Sequence, residues 1–133
     1  MNPHLFVYGS LLSAARHPMG ERLAREAHCL GDATLKGRLY RISWYPGAVE
    51  GGRGDERVHG EVYRLHNAAR ALQWLDAYEG LAAGAGPGGE YARRERPVLL
   101  ASGAAIAAWV YLYCGDVGGL ARVPSGRWLP GLR

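Results

Sequence analysis

The chain has 133 residues, 48% hydrophobic and 21% charged, the composition of an ordinary soluble globular protein with one core, read as a single domain over residues 1–133. Its 20 glycines exclude a helical bundle, and no run approaches the roughly eighteen apolar residues of a membrane span. The net charge of +4 rests on fifteen arginines and one lysine, Lys36, scattered rather than clustered; the densest run, Arg93-Arg94-Glu95-Arg96, does not make a phosphate-binding face, so no nucleic-acid partner is expected.

Taken in chain order, residues 4–8 predict a first strand that runs into the turn Gly9-Ser10-Leu11-Leu12. Pro18 suits the first turn of a short helix with Met19, Leu23 and Ala27 on one stripe, and Gly31 is expected to end that unit. Ala33 to Ser43 predicts a strand anchored by Leu35, Leu39 and Tyr40, followed by a turn at Tyr45-Pro46-Gly47 and a polar, glycine-rich excursion over Glu50–Arg57. Val58, Gly60 and Val62 alternate within a strand running to Leu65. Asn67 is placed to cap a helix over Ala68–Glu79, with Gly80 as its stop. Residues 81–89 are low-complexity and read as a loop, either a lid or a tolerated insertion. Tyr91–Leu100 and Ala104–Tyr113 predict two strands joined by a turn at Ala101-Ser102-Gly103, and the Gly/Pro-rich tail holds Trp128 as an anchor.

Cys29 and Cys114 lack metal-ligand spacing and read as buried small hydrophobes rather than a disulfide. Leu5–Ala15 has no basic flank and is broken by Tyr8-Gly9-Ser10, so it does not read as a signal peptide and the cytoplasm is the expected compartment.

Two stretches carry chemistry. The first is Leu5-Phe6-Val7-Tyr8-Gly9-Ser10-Leu11, a strand entering a sharp turn able to present backbone N–H groups to a small anionic or carbonyl ligand. The second is Leu75-Asp76-Ala77-Tyr78-Glu79-Gly80. At 100° per residue Glu79 falls between Leu75 and Leu72 on the apolar arc. A carboxylate there, at the negative end of a helix, is disfavoured as an anion, and its pKa is expected to rise toward the range useful for proton transfer. The same position at a helix end also admits a side chain that frays outward. Asp76 reads as a structural helix-end group.

Together these stretches resemble the γ-glutamylcyclotransferase family in its small AIG2-like branch. Gly37-Arg38-Leu39-Tyr40 with Tyr45-Pro46-Gly47, Val58-His59-Gly60-Glu61-Val62-Tyr63, Tyr91-Ala92-Arg93 and Ala108-Trp109-Val110-Tyr111 continue the resemblance in the family's order. The resemblance implies an α+β fold, a small mixed β-barrel flanked by helices with the site at one barrel mouth. It implies that Glu79 is the general acid/base and that Tyr8, Gly9, Ser10 and Leu11 form the substrate loop. The substrate would be a small γ-glutamyl amine or amino acid, cyclised to 5-oxoproline without metal or cofactor. Tyr91 and Tyr113 either line the pocket or pack the barrel.

Other readings stay open from the residues alone. Ser10 sits on a sharp turn, yet it has neither a G-x-S-x-G elbow nor an identifiable His/Asp partner. A non-catalytic small-ligand-binding module of the same fold would keep the pocket, although it would not need a carboxylate on an apolar face. An RNA-binding barrel would gather arginines with tyrosines on one sheet face. A monomer or weak homodimer is expected.

Overall fold

The computed structural model describes residues 1–51, 54–79 and 91–128. In chain order these residues form β1 (His4–Val7), α1 (Pro18–Glu26), β2 (Ala27–Arg41), β3 (Pro46–Glu50), β4 (Arg57–Leu65), α2 (Ala68–Tyr78), β5 (Tyr91–Leu100), β6 (Ala105–Tyr113) and β7 (Arg122–Val123), with a turn of 3-10 helix at Ser13–Ala15. Antiparallel ladders run from β1 to β4, β4 to β2, β2 to β5 and β5 to β6. A parallel bridge from Leu5 to Trp109 returns β6 to β1, so five strands close into a small barrel. The short strand β3 pairs with the second half of β2 and bridges β6 through Ala48 and Leu112. This is the mixed barrel with two flanking helices that the resemblance implied. No helix among the described residues is long and apolar enough to cross a membrane.

Strand alternation sorts the apolar residues into two layers. Phe6, Tyr8, Leu35, Leu39, Val58, Val62, Val110 and Trp128 fill the barrel. Leu5, Val7, Tyr63, Leu65 and Tyr111 face outward and meet Leu23 of α1 and Ala71, Leu72 and Leu75 of α2. Each fully buried leucine of α2 contributes about 1.5–3 kcal/mol. The helix starts where Asn67 Oδ1 accepts the Arg70 N–H at 3.1 Å. Its sister α1 starts at Pro18, with His17 Nδ1 accepting the Met19 N–H at 3.1 Å.

Several expectations are corrected. Ala27 shares the layer of Leu23 but opens β2 rather than continuing α1. Gly31 does not end a unit. The β2–β4 register shifts between Cys29 and Gly31, leaving Leu30 in a bulge within one long bent strand. Cys29 and Cys114 are free and exposed rather than buried; Cys29 precedes that bulge, where His28 and Leu30 are also open to solvent. Leu35 and Leu39 are buried but Tyr40, of opposite parity, is half-buried. The chain bends at residues 43–45, and Pro46 opens β3, a position that asks no backbone donor of it. The tail adds β7 along β2, which short length hid from the sequence. Gly80 and the loop 81–89 lie outside the described residues.

Two side-chain positions hold the barrel closed. A Cβ at Gly60 would overlap the Val7 carbonyl oxygen and the Phe6 ring, so only glycine lets β4 cross β1 at this distance. The Tyr8 hydroxyl donates to the Tyr111 carbonyl at 2.6 Å and accepts the Ala48 N–H at 3.0 Å, joining the end of β1 to β6 and β3. Gly60→Ala is expected to lower stability by about 1–3 kcal/mol through overpacking, read as a reduced urea midpoint at unchanged m. Tyr8→Phe keeps the ring but leaves the buried Ala48 N–H unpaired, with an expected loss of about 1–3 kcal/mol in the same measurement. A wild-type midpoint for either variant would contradict the packing described.

Candidate active site

The chain leaves β1 and turns at once, with the Leu12 N–H donating to the Gly9 carbonyl at 3.0 Å. Gly9 lies against β3: a Cβ there would sit 2.9 Å from Pro46 Cδ and Cγ. The turn, the start of β3 and the end of α2 enclose a cavity of about 200 Å³. Tyr8, Gly9, Ser10 and Leu11 line it from the turn, Tyr78 and Glu79 from α2, and Tyr91 and Tyr111 from β5 and β6. Trp44, Tyr45 and Pro46 complete the rim.

Glu79 is the C-terminal cap residue of α2, its N–H donating to the Leu75 carbonyl at 2.9 Å. It is half-buried, and its negative charge reaches three phenols. Tyr8 is pushed far above the ordinary phenol range by burial and then by Glu79, opposed by the Ala48 N–H. Tyr78 is raised by burial, opposed by its bond to Ser10, with Glu79 adding to the rise. Tyr111 is raised by burial first, then by Asp76, with Arg93 opposing and Glu79 contributing. All three therefore remain protonated near neutral pH and act as neutral hydrogen-bonding groups around the carboxylate.

A polar staple fixes the helix end from behind. Asp76 accepts Arg93 Nε at 2.8 Å and the second guanidinium nitrogen at 3.1 Å, and it also accepts the Tyr111 hydroxyl at 2.6 Å. The Arg93 guanidinium in turn lies 4.5 Å above the Trp109 ring. On the other side Ser10 Oγ and the Tyr78 hydroxyl share a hydrogen bond of 2.6 Å, tying the turn to α2. The Tyr91 hydroxyl donates to the Pro46 carbonyl at 2.5 Å, tying β5 to β3. A bidentate arginine–carboxylate pair has a planar geometry that a single contact lacks, so the last turn of α2 is held in orientation as well as distance.

The structure gathers six of the residues singled out from the sequence, Tyr8, Gly9, Ser10, Leu11, Glu79 and Tyr91, around one cavity. Tyr113 is not among the lining residues; its ring stands edge-on behind Tyr91 at 5.8 Å. Sequence reasoning did not single out Tyr111, Tyr78, Tyr45 or Trp44. Tyr111 was within reach of β6 alternation, because positions 109, 111 and 113 share the outer face. Tyr78 lay on the apolar arc of α2. Trp44 occupies an aperiodic connection and carried no pattern, and Tyr45 was read only as part of the turn Tyr45-Pro46-Gly47. Asp76, read as a structural helix-end group, is the centre of the staple. Among the described residues no group of three or more His, Cys, Asp or Glu side chains is gathered to hold a metal ion.

A family model described as gamma-glutamyl cyclotransferase, AIG2-like, matches residues 5–130. Over 127 residues the chain is 41% identical to the gamma-glutamylcyclotransferase family protein YtfP of Escherichia coli (strain K12), covering 94% of this chain and 95% of that protein. The solution NMR structure of ytfP from Escherichia coli matches with a TM-score of 0.65 over 95% of this chain and 96% of that one, at 41% identity. The crystal structure of an AIG2-like protein from Mus musculus matches with a TM-score of 0.66 at 19% identity, covering 98% and 96% of the two chains. YkqA from Bacillus subtilis matches with a TM-score of 0.70 at 23% identity, over 96% of this chain but 40% of that longer one. These last two likenesses are of fold. With its family model spanning residues 5–130 and its 41% identity to a relative over nearly the whole length of both, the chain belongs to the AIG2-like γ-glutamyl cyclotransferase family.

Proposed function

We propose that this protein is a γ-glutamyl cyclotransferase that converts a small γ-glutamyl amine or γ-glutamyl amino acid into 5-oxoproline and a free amine, with Glu79 as general acid/base. The observation that carries the reading is the position of Glu79, which lines one small cavity together with the backbone turn Tyr8–Leu11. Family membership supports the reaction class.

The chemistry suits a site without a protein nucleophile. The substrate's α-amine attacks its own γ-carbonyl carbon, forming the ring C–N bond. Collapse of the tetrahedral species breaks the C–N bond to the departing amine. Two protons leave the α-nitrogen, one to free it for attack and one after the ring C–N bond has formed; Glu79 relays both to the leaving nitrogen, which departs as its ammonium, so the enzyme ends as it began. The attack is intramolecular, and with the folded conformer held the amine meets the carbonyl at the large effective concentration of a well-oriented intramolecular reaction. In this scheme the backbone N–H groups of the turn receive the developing oxyanion. Ser10 has a positioning part in this scheme, since its hydroxyl is engaged by Tyr78. The route uses no metal and no cofactor.

Release of 5-oxoproline from a panel of γ-glutamyl compounds tests the reading directly. Glu79→Gln is expected to lower kcat/KM by about 10²–10⁴-fold, the usual weight of a general acid/base, with the circular dichroism spectrum unchanged. Folded wild-type protein that releases nothing from any compound would overturn the reaction. Full activity in Glu79→Gln would overturn the role of the carboxylate and leave the reaction standing.

A further inference from the structure

One rim residue is unlike its counterparts. Of the tryptophans, Trp128 closes the barrel core with the Arg41 guanidinium 4.8 Å above its ring, while Trp74 and Trp109 lie under Arg22 and Arg93 at 4.3 and 4.5 Å. Trp44 lines the cavity and is still 63% exposed. Its neighbours are rings rather than a guanidinium. His17 stacks on it at 6.1 Å with 10° between planes, and Tyr45 meets it edge-on at 5.1 Å and 79°. His17 also leans on Tyr78 at 5.7 Å, so the rim is an aromatic wall drawn from three separate segments of chain. A ring held by two others is fixed in orientation, which makes its open surface a prepared contact rather than a loose side chain.

The polarity of the cavity narrows what that surface can meet. Among the described lining residues Glu79 is the one charged side chain, and His17 flanks the wall against Trp44 and Tyr78. A second carboxylate, on the departing amine, would enter a cavity whose one charged lining residue among those described is already negative. An ammonium over an open indole gains only roughly two- to fivefold in affinity. Covering a phenyl ring gains about tenfold or more.

We infer that Trp44 is a specificity-determining residue for the leaving group, and that the site takes γ-glutamyl amides whose amine half carries a neutral aromatic ring packed on the open indole. The inference rests on the cyclotransferase reading and names its substrate class. The γ-glutamyl carbonyl would sit beside Glu79 and the turn, and the amine half would extend outward along the wall of Trp44, Tyr45 and Tyr78.

The test compares γ-glutamyl phenethylamide, methylamide, 4-aminobutylamide and γ-glutamylalanine as substrates for wild type, Trp44→Ala and Trp44→Phe. Wild-type kcat/KM is expected to favour phenethylamide over methylamide by about tenfold or more. Trp44→Ala should bring that ratio near one, and Trp44→Phe should restore part of it. Equal wild-type rates for the two amides, a ratio indifferent to Trp44→Ala, or a preference for the aminobutyl or alanine compound would overturn the inference. Calorimetric binding to Glu79→Gln reads the same preference without turnover. If wild type turns over none of the compounds, the cyclotransferase reading falls, and tighter phenethylamide binding would still keep the aromatic subsite. Equal binding of both amides would sink the subsite, whatever the protein catalyses.

Discussion

Everything in this molecule is arranged around a four-residue strand that has no free side. β1 is hydrogen-bonded on both edges, antiparallel to β4 and by a parallel bridge to β6. It is also buried on both faces, with Leu5 at 0%, Phe6 at 1% and Val7 at 4% exposure. Phe6 belongs to the barrel interior and Leu5 and Val7 to the layer beneath the helices, so the buried residues of β1 alternate between the two cores. A one-residue slip would exchange those layers and also move the Tyr8 hydroxyl from its two backbone partners. The turn that follows β1 inherits this rigidity, because its first residue is already fixed inside the barrel.

The second constraint concerns charge. The cavity brings a carboxylate next to three phenols in a largely apolar setting, where an ionised phenol would be costly and a neutral one is useful. Burial and the nearby anion act in the same direction on each ring, so the tyrosines stay as donors. Asp76 would bring a second negative charge three residues from Glu79, but it is answered by both Arg93 nitrogens and the Tyr111 hydroxyl. Charge and orientation are thus settled by the same contacts. The pair is partly exposed, with side-chain exposures of 21% and 26%, which places its value in geometry more than in raw stability.

What could be read from the sequence divides along physical lines. Period-two alternation showed β4, whose Val58 and Val62 lie in the barrel core; Val98 of β5 and Val110 of β6, both expected as strands, lie there too. Helix phase placed Leu72 and Leu75 inside, and Asn67 announced the start of α2 through its own side chain. The turn at Tyr8–Leu11 and the acid Glu79 were legible because resemblance supplied the link between segments far apart in the chain. The failures came where local pattern and tertiary pairing disagree. Gly31 looks like a stop, but β4 continues past it and carries β2 through a bulge. Pro46 looks like the middle of a turn, but β2 and β6 pair with the residues after it. Trp44 has no periodic neighbours at all, and only the packing of His17 and Tyr45 gives it a place.

These placements separate what is rigid from what can vary. Glu79, Tyr8 and Tyr111 sit on or directly beside regular elements whose backbones are paired and whose side chains are pinned. Displacing any of them means breaking a barrel contact or the Asp76–Arg93 pair. Trp44 sits instead on the short connection between β2 and β3, outside the ladders, where the Ile42 and Ser43 N–H groups bond the Tyr45 carbonyl at 3.1 and 3.2 Å. A change of residue at 44 alters the rim without touching barrel closure, the helix end or the turn. On the proposed reading, the invariant chemistry of ring closure belongs to the pinned half of the cavity, and the choice of departing amine belongs to the half that the fold leaves free to change.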